Sequence, residues 1–185
     1  MKVTAFVGSP RPGGNTEVLV REALQGAEDA GAGTTMVYLN DATYLDCQGC
    51  GFCNDNEECK LQDDMVGLYH MIEEADGIIL GSPVYFGMVS GITKSFIDRW
   101  YAFMGPGFTS RLRPGKKAAI ILAQGDPNPD VYGPMATHLA VTMEFFGIEV
   151  AAPLVGAGLF DIGDAAKDKE LMQRAYEVGR RLVSG

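Results

Sequence analysis

The chain reads as an α/β domain in three layers, a parallel sheet covered on both faces. Two observations predict this: five short segments are nearly all apolar, and helix-period segments separate them. A third places the chemistry: glycine, proline and aromatic residues gather just after residues 7, 81 and 123, where strands end. In sheets of this kind ligands sit beyond the carboxyl ends of the strands.

Taken in order, Lys2 to Val7 is an apolar run and reads as a buried strand. Thr16 to Ala30 has the spacing of an amphipathic helix, and Thr34 to Leu39 reads as the second strand. Asp64 to Ala75 is helical, with Asp63 and Asp64 capping and starting it. Gly77 to Gly81 is a short strand, Ile92 to Phe103 a helix and Lys117 to Ala123 the fourth strand. Met135 to Phe146 follows as a helix and Glu149 to Val155 as the fifth strand. Lys167 to Val183 closes the chain as a helix with leucine, methionine, tyrosine and valine on one face. No internal repeat or low-complexity tract interrupts the alternation.

With 185 residues, 46% of them hydrophobic, the chain suits one well-buried domain over residues 1–185, with a cysteine-rich insertion at 46–63. The amino terminus lacks the pattern of a signal peptide, and no apolar stretch approaches the roughly 20 residues of a membrane span. A soluble, cytoplasmic protein is expected. A net charge of -9 with no basic stripe argues against nucleic-acid binding.

The segment after the first strand, Gly8-Ser9-Pro10-Arg11-Pro12-Gly13-Gly14-Asn15-Thr16, leads straight into a helix. Helix-start amides and the helix dipole favour an anion there, and Ser9, Arg11, Asn15 and Thr16 add donors. Gly8 and Gly13 have P-loop spacing, but Gly14 stands in place of the lysine and Asn15 in place of the magnesium-binding hydroxyl. No cysteine opens the loop as a phosphatase nucleophile would. A non-hydrolysed monophosphate is the expected ligand; the competing reading is a glycine- and proline-rich turn with Asn15 as a helix cap.

After the third strand, Pro83-Val84-Tyr85-Phe86-Gly87 sets two large aromatics in a loop, and Gln124-Gly125 follows the fourth strand. A planar heteroaromatic ligand explains aromatic faces and a glycine that permits close approach. Either loop alone also fits a hydrophobic interface patch. Beside a phosphate cradle at the same sheet edge, they favour a ring-plus-phosphate cofactor.

The four cysteines of the chain, Cys47, Cys50, Cys53 and Cys59, fall within one short segment, separated by two, two and five residues. Structural disulfides would be spread along the chain, so the cluster reads as a ligand set. Three thiols converging from one turn and a fourth returning after a short excursion suit the corners of a 4Fe-4S centre. Zinc and reduced thiols are the competing readings. His70 and His138 read as ordinary helix residues, Lys94 and Asp98 as an i,i+4 ion pair, and Trp100, Tyr101 and Phe103 as either interface or core aromatics.

The runs GSPRPGGNTE, CQGCGFCNDNEEC followed by DDM, EEADGIILGSPVYFGMVSGITKSFIDRW and GDAAKDKELMQRAYEVGRRL extend nearly end to end. Together they resemble the flavodoxin-like NADPH-dependent FMN reductase family, and within it the iron-sulfur flavoproteins. The resemblance implies a flavodoxin-like three-layer sandwich with a five-stranded parallel sheet of order 2-1-3-4-5, assembled as a homodimer or homotetramer. It implies FMN, its phosphate held at Ser9, Arg11, Gly14, Asn15 and Thr16. The isoalloxazine would lie against Pro83, Val84, Tyr85, Phe86 and Gly87, with Gln124 and Gly125 closing the site.

The expected function is an FMN-dependent oxidoreductase that takes electrons from ferredoxin or NAD(P)H and relays them through FMN and the 4Fe-4S cluster. No side chain need serve as catalytic acid or base, since the cofactors carry the chemistry. A cluster-free NAD(P)H-dependent quinone, flavin or nitro reductase is the alternative, and a non-catalytic redox sensor another.

Overall fold

A computed structural model describes residues 1–151 and 153–184. The elements are β1 (Lys2–Val7), α1 (Asn15–Asp29), β2 (Gly33–Tyr38), α2 (Phe52–Asp55), α3 (Met65–Glu74), β3 (Gly77–Tyr85), β4 (Met88–Val89), α4 (Gly91–Arg99), β5 (Lys117–Ala123), α5 (Gly133–Phe145), β6 (Glu149–Val150), β7 (Leu154–Gly156), α6 (Asp164–Lys167) and α7 (Lys169–Ser184). No helix among the described residues is long and apolar enough to cross a membrane.

The α/β architecture with a parallel sheet is as expected, but among the described residues the sheet has seven strands rather than five. Its path is β2-β1-β3-β5-β6, with β4 paired to β3 and β7 paired to β5, which corrects the five-stranded 2-1-3-4-5 order. Two local events account for the difference. First, β3 runs on past Gly81 to Tyr85 and folds back, Tyr85 opposite Met88, into an antiparallel hairpin that adds β4. Second, the expected strand over 149–155 is split. Ala118 pairs with Val150 and Ile121 with Leu154, so three steps along β5 face four along its partner. Pro153, which has no N–H to donate, lies just before β7 and cannot extend its ladder.

Strand side chains alternate between two cores. Phe6, Ile78, Leu80, Ile120 and Leu122 point to the face covered by α3, α4 and α5, where they meet Met65, Ile72, Phe96 and Trp100. Val3, Ala5, Val7, Ile79 and Ile121 point to the other face, against Leu19 and Val20 of α1 and Leu171 and Ala175 of α7. Apolar residues on both faces explain why these strands read as unbroken hydrophobic runs. The two helices of the second core meet so closely that a Cβ on Gly179 would lie 1.6 Å from the Ala23 carbonyl oxygen.

The expected helix over 92–103 ends at Arg99 and continues as a 3-10 turn from Trp100 to Phe103. Trp100 and Phe103 are core, Trp100 packed edge-on with Phe96, Phe103 and Phe146, whereas Tyr101 is exposed. Lys94 and Asp98 form the expected i,i+4 pair at 2.5 Å.

Candidate functional site

The loop between β1 and α1 is built largely from its own hydrogen bonds. The Gly14 amide donates to the Arg11 carbonyl at 3.1 Å and the Arg11 amide to Ser9 Oγ at 3.3 Å. A Cβ on Gly14 would lie 2.9 Å from that Arg11 carbonyl and 3.7 Å from Ser9 Oγ, so the turn closes only around a glycine. Asn15 is neither a cap nor a donor into the loop through its side chain. Its amide donates to the Asp161 carbonyl at 2.9 Å and its oxygen accepts from the Ala165 amide at 3.1 Å, tying the loop to the start of α6. What is left for a ligand is the exposed Arg11 guanidinium, the hydroxyls of Ser9 and Thr16, and the first amides of α1, none of which has an acceptor among the described residues. That donor set fits an anion.

Sequence reasoning missed Glu17, in the first turn of α1, which holds this loop. Its carboxylate, only 9% exposed, accepts from the Gly13 amide at 2.7 Å, Arg21 Nε at 2.8 Å and the Tyr38 hydroxyl at 2.8 Å. Burial pushes its pKa up, but the hydrogen bonds from Arg21, Gly13 and Tyr38 outweigh that and leave it below the usual carboxylate range.

The second part of the site is the hairpin. Pro83, Val84 and Tyr85 belong to β3 rather than to a loop, and Phe86-Gly87 is the two-residue turn, with φ of +50° and +76°. Positive φ at both turn positions matches the twist of the strands, and Gly87 adopts it freely; Phe86 is strained there. The Phe86 ring is fully exposed and Tyr85 is 41% exposed. A buried hydroxyl network fixes this hairpin to the first loop. Ser90 Oγ donates to the Gly8 carbonyl at 2.5 Å, Ser82 Oγ accepts from the Ser90 amide at 3.0 Å, and Thr93 Oγ1 reaches Ser82 at 3.2 Å. Thr93 stands so close that a Cβ on Gly8 would meet its hydroxyl at 1.7 Å.

The third part is the segment after β5. Gln124 is buried, and its amide nitrogen donates to the carbonyls of Asp126 (3.1 Å) and Asn128 (2.8 Å). Its Oε1 has no partner among the described residues, a lone buried acceptor suited to a ring N–H. Gly125 faces the ring of Phe160, which a Cβ would approach to 2.9 Å. Phe160 is 76% exposed, and the Asp164 carboxylate holds the amides of Phe160 and Asp161. The sequence offered one signal for this segment, the paired glycines Gly158 and Gly163, both at positive φ.

The cysteine segment is a loop closed at its stem. Asp64 accepts from the Thr43 amide at 2.7 Å, and Asp63 accepts from the Leu45 amide at 3.2 Å. Beneath them lies Arg99, whose side chain is 1% exposed; it makes two hydrogen bonds to Asp63 at 2.7 and 3.0 Å, one to the Leu45 carbonyl at 2.7 Å and one to the Tyr69 hydroxyl at 3.1 Å. Burial raises the Asp63 pKa, but Arg99 and the Leu45 and Met65 amides reverse the effect and hold the carboxyl below its ordinary value. So Asp63 starts the following helix as expected, through the Met65 amide, yet its larger role is as counterion to Arg99. Arg111 braces the far side, donating to the carbonyls of Cys53 (2.9 Å) and Ala102 (3.0 Å).

Cys47, Cys50, Cys53 and Cys59 all line one cavity together with Arg99 and Tyr101. Cys47 and Cys50 are exposed, Cys59 is half-buried and Cys53 is buried, which pushes its thiol pKa up. Four soft sulfur donors around one cavity suit an iron-sulfur group in their chemistry. Among the described residues, however, no three His, Cys, Asp or Glu side chains converge as the ligands of a single metal ion would. His70 and His138 lie on exposed helix faces, His70 beside Glu73 at 3.5 Å.

The model of the NADPH-dependent FMN reductase family matches residues 1–153. An iron-sulfur flavoprotein of Methanocaldococcus jannaschii is 48% identical over 120 residues, which is 65% of this chain and 62% of that protein. The chain thus spans less than two thirds of that relative. An iron-sulfur flavoprotein of Archaeoglobus fulgidus is 30% identical over 185 residues, covering 99% of this chain and 79% of the relative. Among solved structures, an NAD(P)H:quinone oxidoreductase from Methanothermobacter marburgensis superposes with a TM-score of 0.79 over 98% of this chain and 96% of its own, at 19% identity, which establishes the flavodoxin-like fold. With a family model over most of its length and a relative aligned across nearly all of it, the chain belongs to the NADPH-dependent FMN reductase family, in its iron-sulfur flavoprotein branch.

Proposed function

We propose that this chain is an FMN-dependent oxidoreductase that accepts electrons from NAD(P)H or a reduced protein carrier such as ferredoxin and passes them on to an acceptor, with a 4Fe-4S centre as relay. One observation carries the flavin part: the anion-ready loop after β1 and the aromatic hairpin after β3 are locked together by the buried Ser82, Ser90 and Thr93 network at one sheet edge. A cofactor with an anionic tail and a flat head matches that pairing. Bound FMN would supply hydride and single-electron chemistry.

In this reading Ser9, Arg11, Thr16 and the opening amides of α1 bind the phosphate, and Gly14 lets the loop close. Asn15 works indirectly, through its hold on Asp161 and Ala165. Pro83, Val84, Tyr85, Phe86 and Gly87 form the wall for the ring, and Gln124 and Gly125 bound the opposite side. Gln124 Oε1, held by the bonds its own amide makes, is an acceptor oriented before any ligand arrives. Cys47, Cys50, Cys53 and Cys59 are the proposed cluster ligands, supported by the shared cavity and by the names of the relatives. Assembly as a homodimer or homotetramer in the cytoplasm, with residues 1–185 acting as one domain, belongs to the same reading.

A cluster-free NAD(P)H-dependent reductase of quinones, flavins or nitro compounds is the second reading, favoured by the lack of convergence among ligand-type side chains in the described residues. Anaerobic purification with iron, sulfide and flavin quantification separates the two. About four iron and four sulfide per flavin is the expected result. Stoichiometric flavin with neither iron nor sulfide selects the second reading, and a chain that stays colourless after incubation with FMN defeats both.

A further inference from the structure

We infer that Glu17 is a positioning residue for the phosphate end of the flavin site: it holds the anion loop in its binding shape while Arg21 cancels the charge it brings there. This rests on the proposed seat of the FMN phosphate in that loop.

The problem posed by the structure is a carboxylate where an anion is to bind. Glu17 sits in the first turn of α1, nearly buried, with Oε2 on the Gly13 amide at 2.7 Å. An unscreened negative charge at the mouth of a phosphate site opposes the ligand, by Coulomb repulsion that low dielectric enlarges. The surroundings answer that objection. Arg21, one helical turn on, donates to Glu17 Oε1 at 2.8 Å, and the Tyr38 hydroxyl donates to the same oxygen at 2.8 Å. Arg21 also donates to Tyr38 at 2.7 Å, so the three side chains close a ring of hydrogen bonds. The carboxylate is therefore paired with a guanidinium on one oxygen and spends the other on the loop.

What the bond to Gly13 accomplishes follows from the backbone. Gly13 has a φ of +67° and no neighbour within 4 Å of where a Cβ would stand, so contacts on that side do not hold it in place. A glycine with this freedom loses much conformational entropy when fixed. The Glu17 bond fixes it before the ligand arrives, which keeps the next amides, those at the start of α1, directed at one point. Since Tyr38 ends β2, the same carboxylate anchors the loop to the edge strand of the sheet. The loop is thus oriented by a residue that need not touch the ligand.

FMN and riboflavin differ only in the phosphate, so the ratio of their dissociation constants isolates the phosphate end of the site. We would titrate both into the full chain freed of flavin, as wild type and as Glu17→Ala, Glu17→Gln and Arg21→Met. Glu17→Gln keeps an acceptor for Gly13 and removes the charge; it should bind FMN at least as well as wild type. Glu17→Ala should lose about tenfold in FMN affinity, the effect of one charge-assisted hydrogen bond, while riboflavin changes less than about twofold. Arg21→Met, which leaves the carboxylate uncompensated, should weaken FMN several-fold at low salt and recover near 1 M salt, where the Debye length is about 3 Å.

An unchanged riboflavin-to-FMN ratio in Glu17→Ala overturns the inference, as does an equal loss in Glu17→Ala and Glu17→Gln. If Glu17→Ala does not fold, the other two variants decide: a ratio in Arg21→Met that matches wild type at every salt concentration also overturns it. A wild-type chain that binds FMN no better than riboflavin is a different failure, because it removes the phosphate seat itself and with it the basis for a positioning role.

Discussion

Replacing Asp63 with asparagine should destabilise the fold, because it removes the counterion of a buried guanidinium. The side chain of Arg99 is 1% exposed and that of Asp63 16%, and they share two hydrogen bonds at 2.7 and 3.0 Å. Removing one partner of a buried pair costs about 3–5 kcal/mol because the remaining charge is left uncompensated. Here the loss is smaller, since Arg99 keeps the Leu45 carbonyl and the Tyr69 hydroxyl and Asp63 is partly wetted. A figure of about 2–3 kcal/mol follows, or a fall in melting temperature of roughly 4–12 °C at this chain length. The assay is thermal unfolding followed by circular dichroism at pH 7 and at lower pH.

The carboxyl of Asp63 is held below its ordinary value in the fold, so its contribution is present above the unfolded pKa of about 3.9 and disappears as pH falls through the folded one. The difference between wild type and Asp63→Asn should therefore shrink below about pH 4. Arg99→Met, which leaves the Asp63 carboxylate unpaired and also strips the donor from the Leu45 carbonyl and the Tyr69 hydroxyl, should cost at least as much as Asp63→Asn. If Asp63→Asn melts within about 0.5 kcal/mol of wild type at pH 7, the reasoning from a buried pair is wrong.

Three further changes test other parts of the structure. Gly8→Ala drives a methyl group into Thr93 Oγ1 and should cost about 1–3 kcal/mol and most flavin binding, with recovery in the double variant Gly8→Ala/Thr93→Ala, read by melting and flavin titration. Cys53→Ala should abolish broad visible absorbance in anaerobically purified protein and leave flavin bound; loss of both chromophores together would contradict two separate sites. Lys116→Met strips the donor from the carbonyls of Ile72, Glu73 and Ala75 at the end of α3, and should cost about 1–3 kcal/mol in urea unfolding.

Most of the sheet was legible because parallel strands covered on both faces must be apolar throughout, so each appears as a run that composition alone delimits. Where that signal is absent, the reading failed. The hairpin strand β4 is two residues long, too short to show a period, and the split of the fifth strand depends on its register against β5. The candidate site showed in the sequence only as residue types in loops, since glycines and aromatics after strands stand out locally. Its internal bonds were not. Asn15 finds Ala165 across 150 residues, and Arg99 finds Asp63 across 36, so neither partner is announced by its neighbours. Glu17 stands in a helix's first turn, where any helix favours an acid, so nothing in its neighbours singles it out.

The feet of the cysteine segment, Thr43 to Leu45 and Asp63 to Asp64, stand side by side and are bonded to each other. A segment closed at its stem in this way is bonded to the rest of the chain at its feet and at the Cys53 carbonyl that Arg111 holds. Exchanging residues 46–62 between chains that share the Arg99 and Asp63 anchor would therefore test whether the proposed cluster ligands travel with the segment.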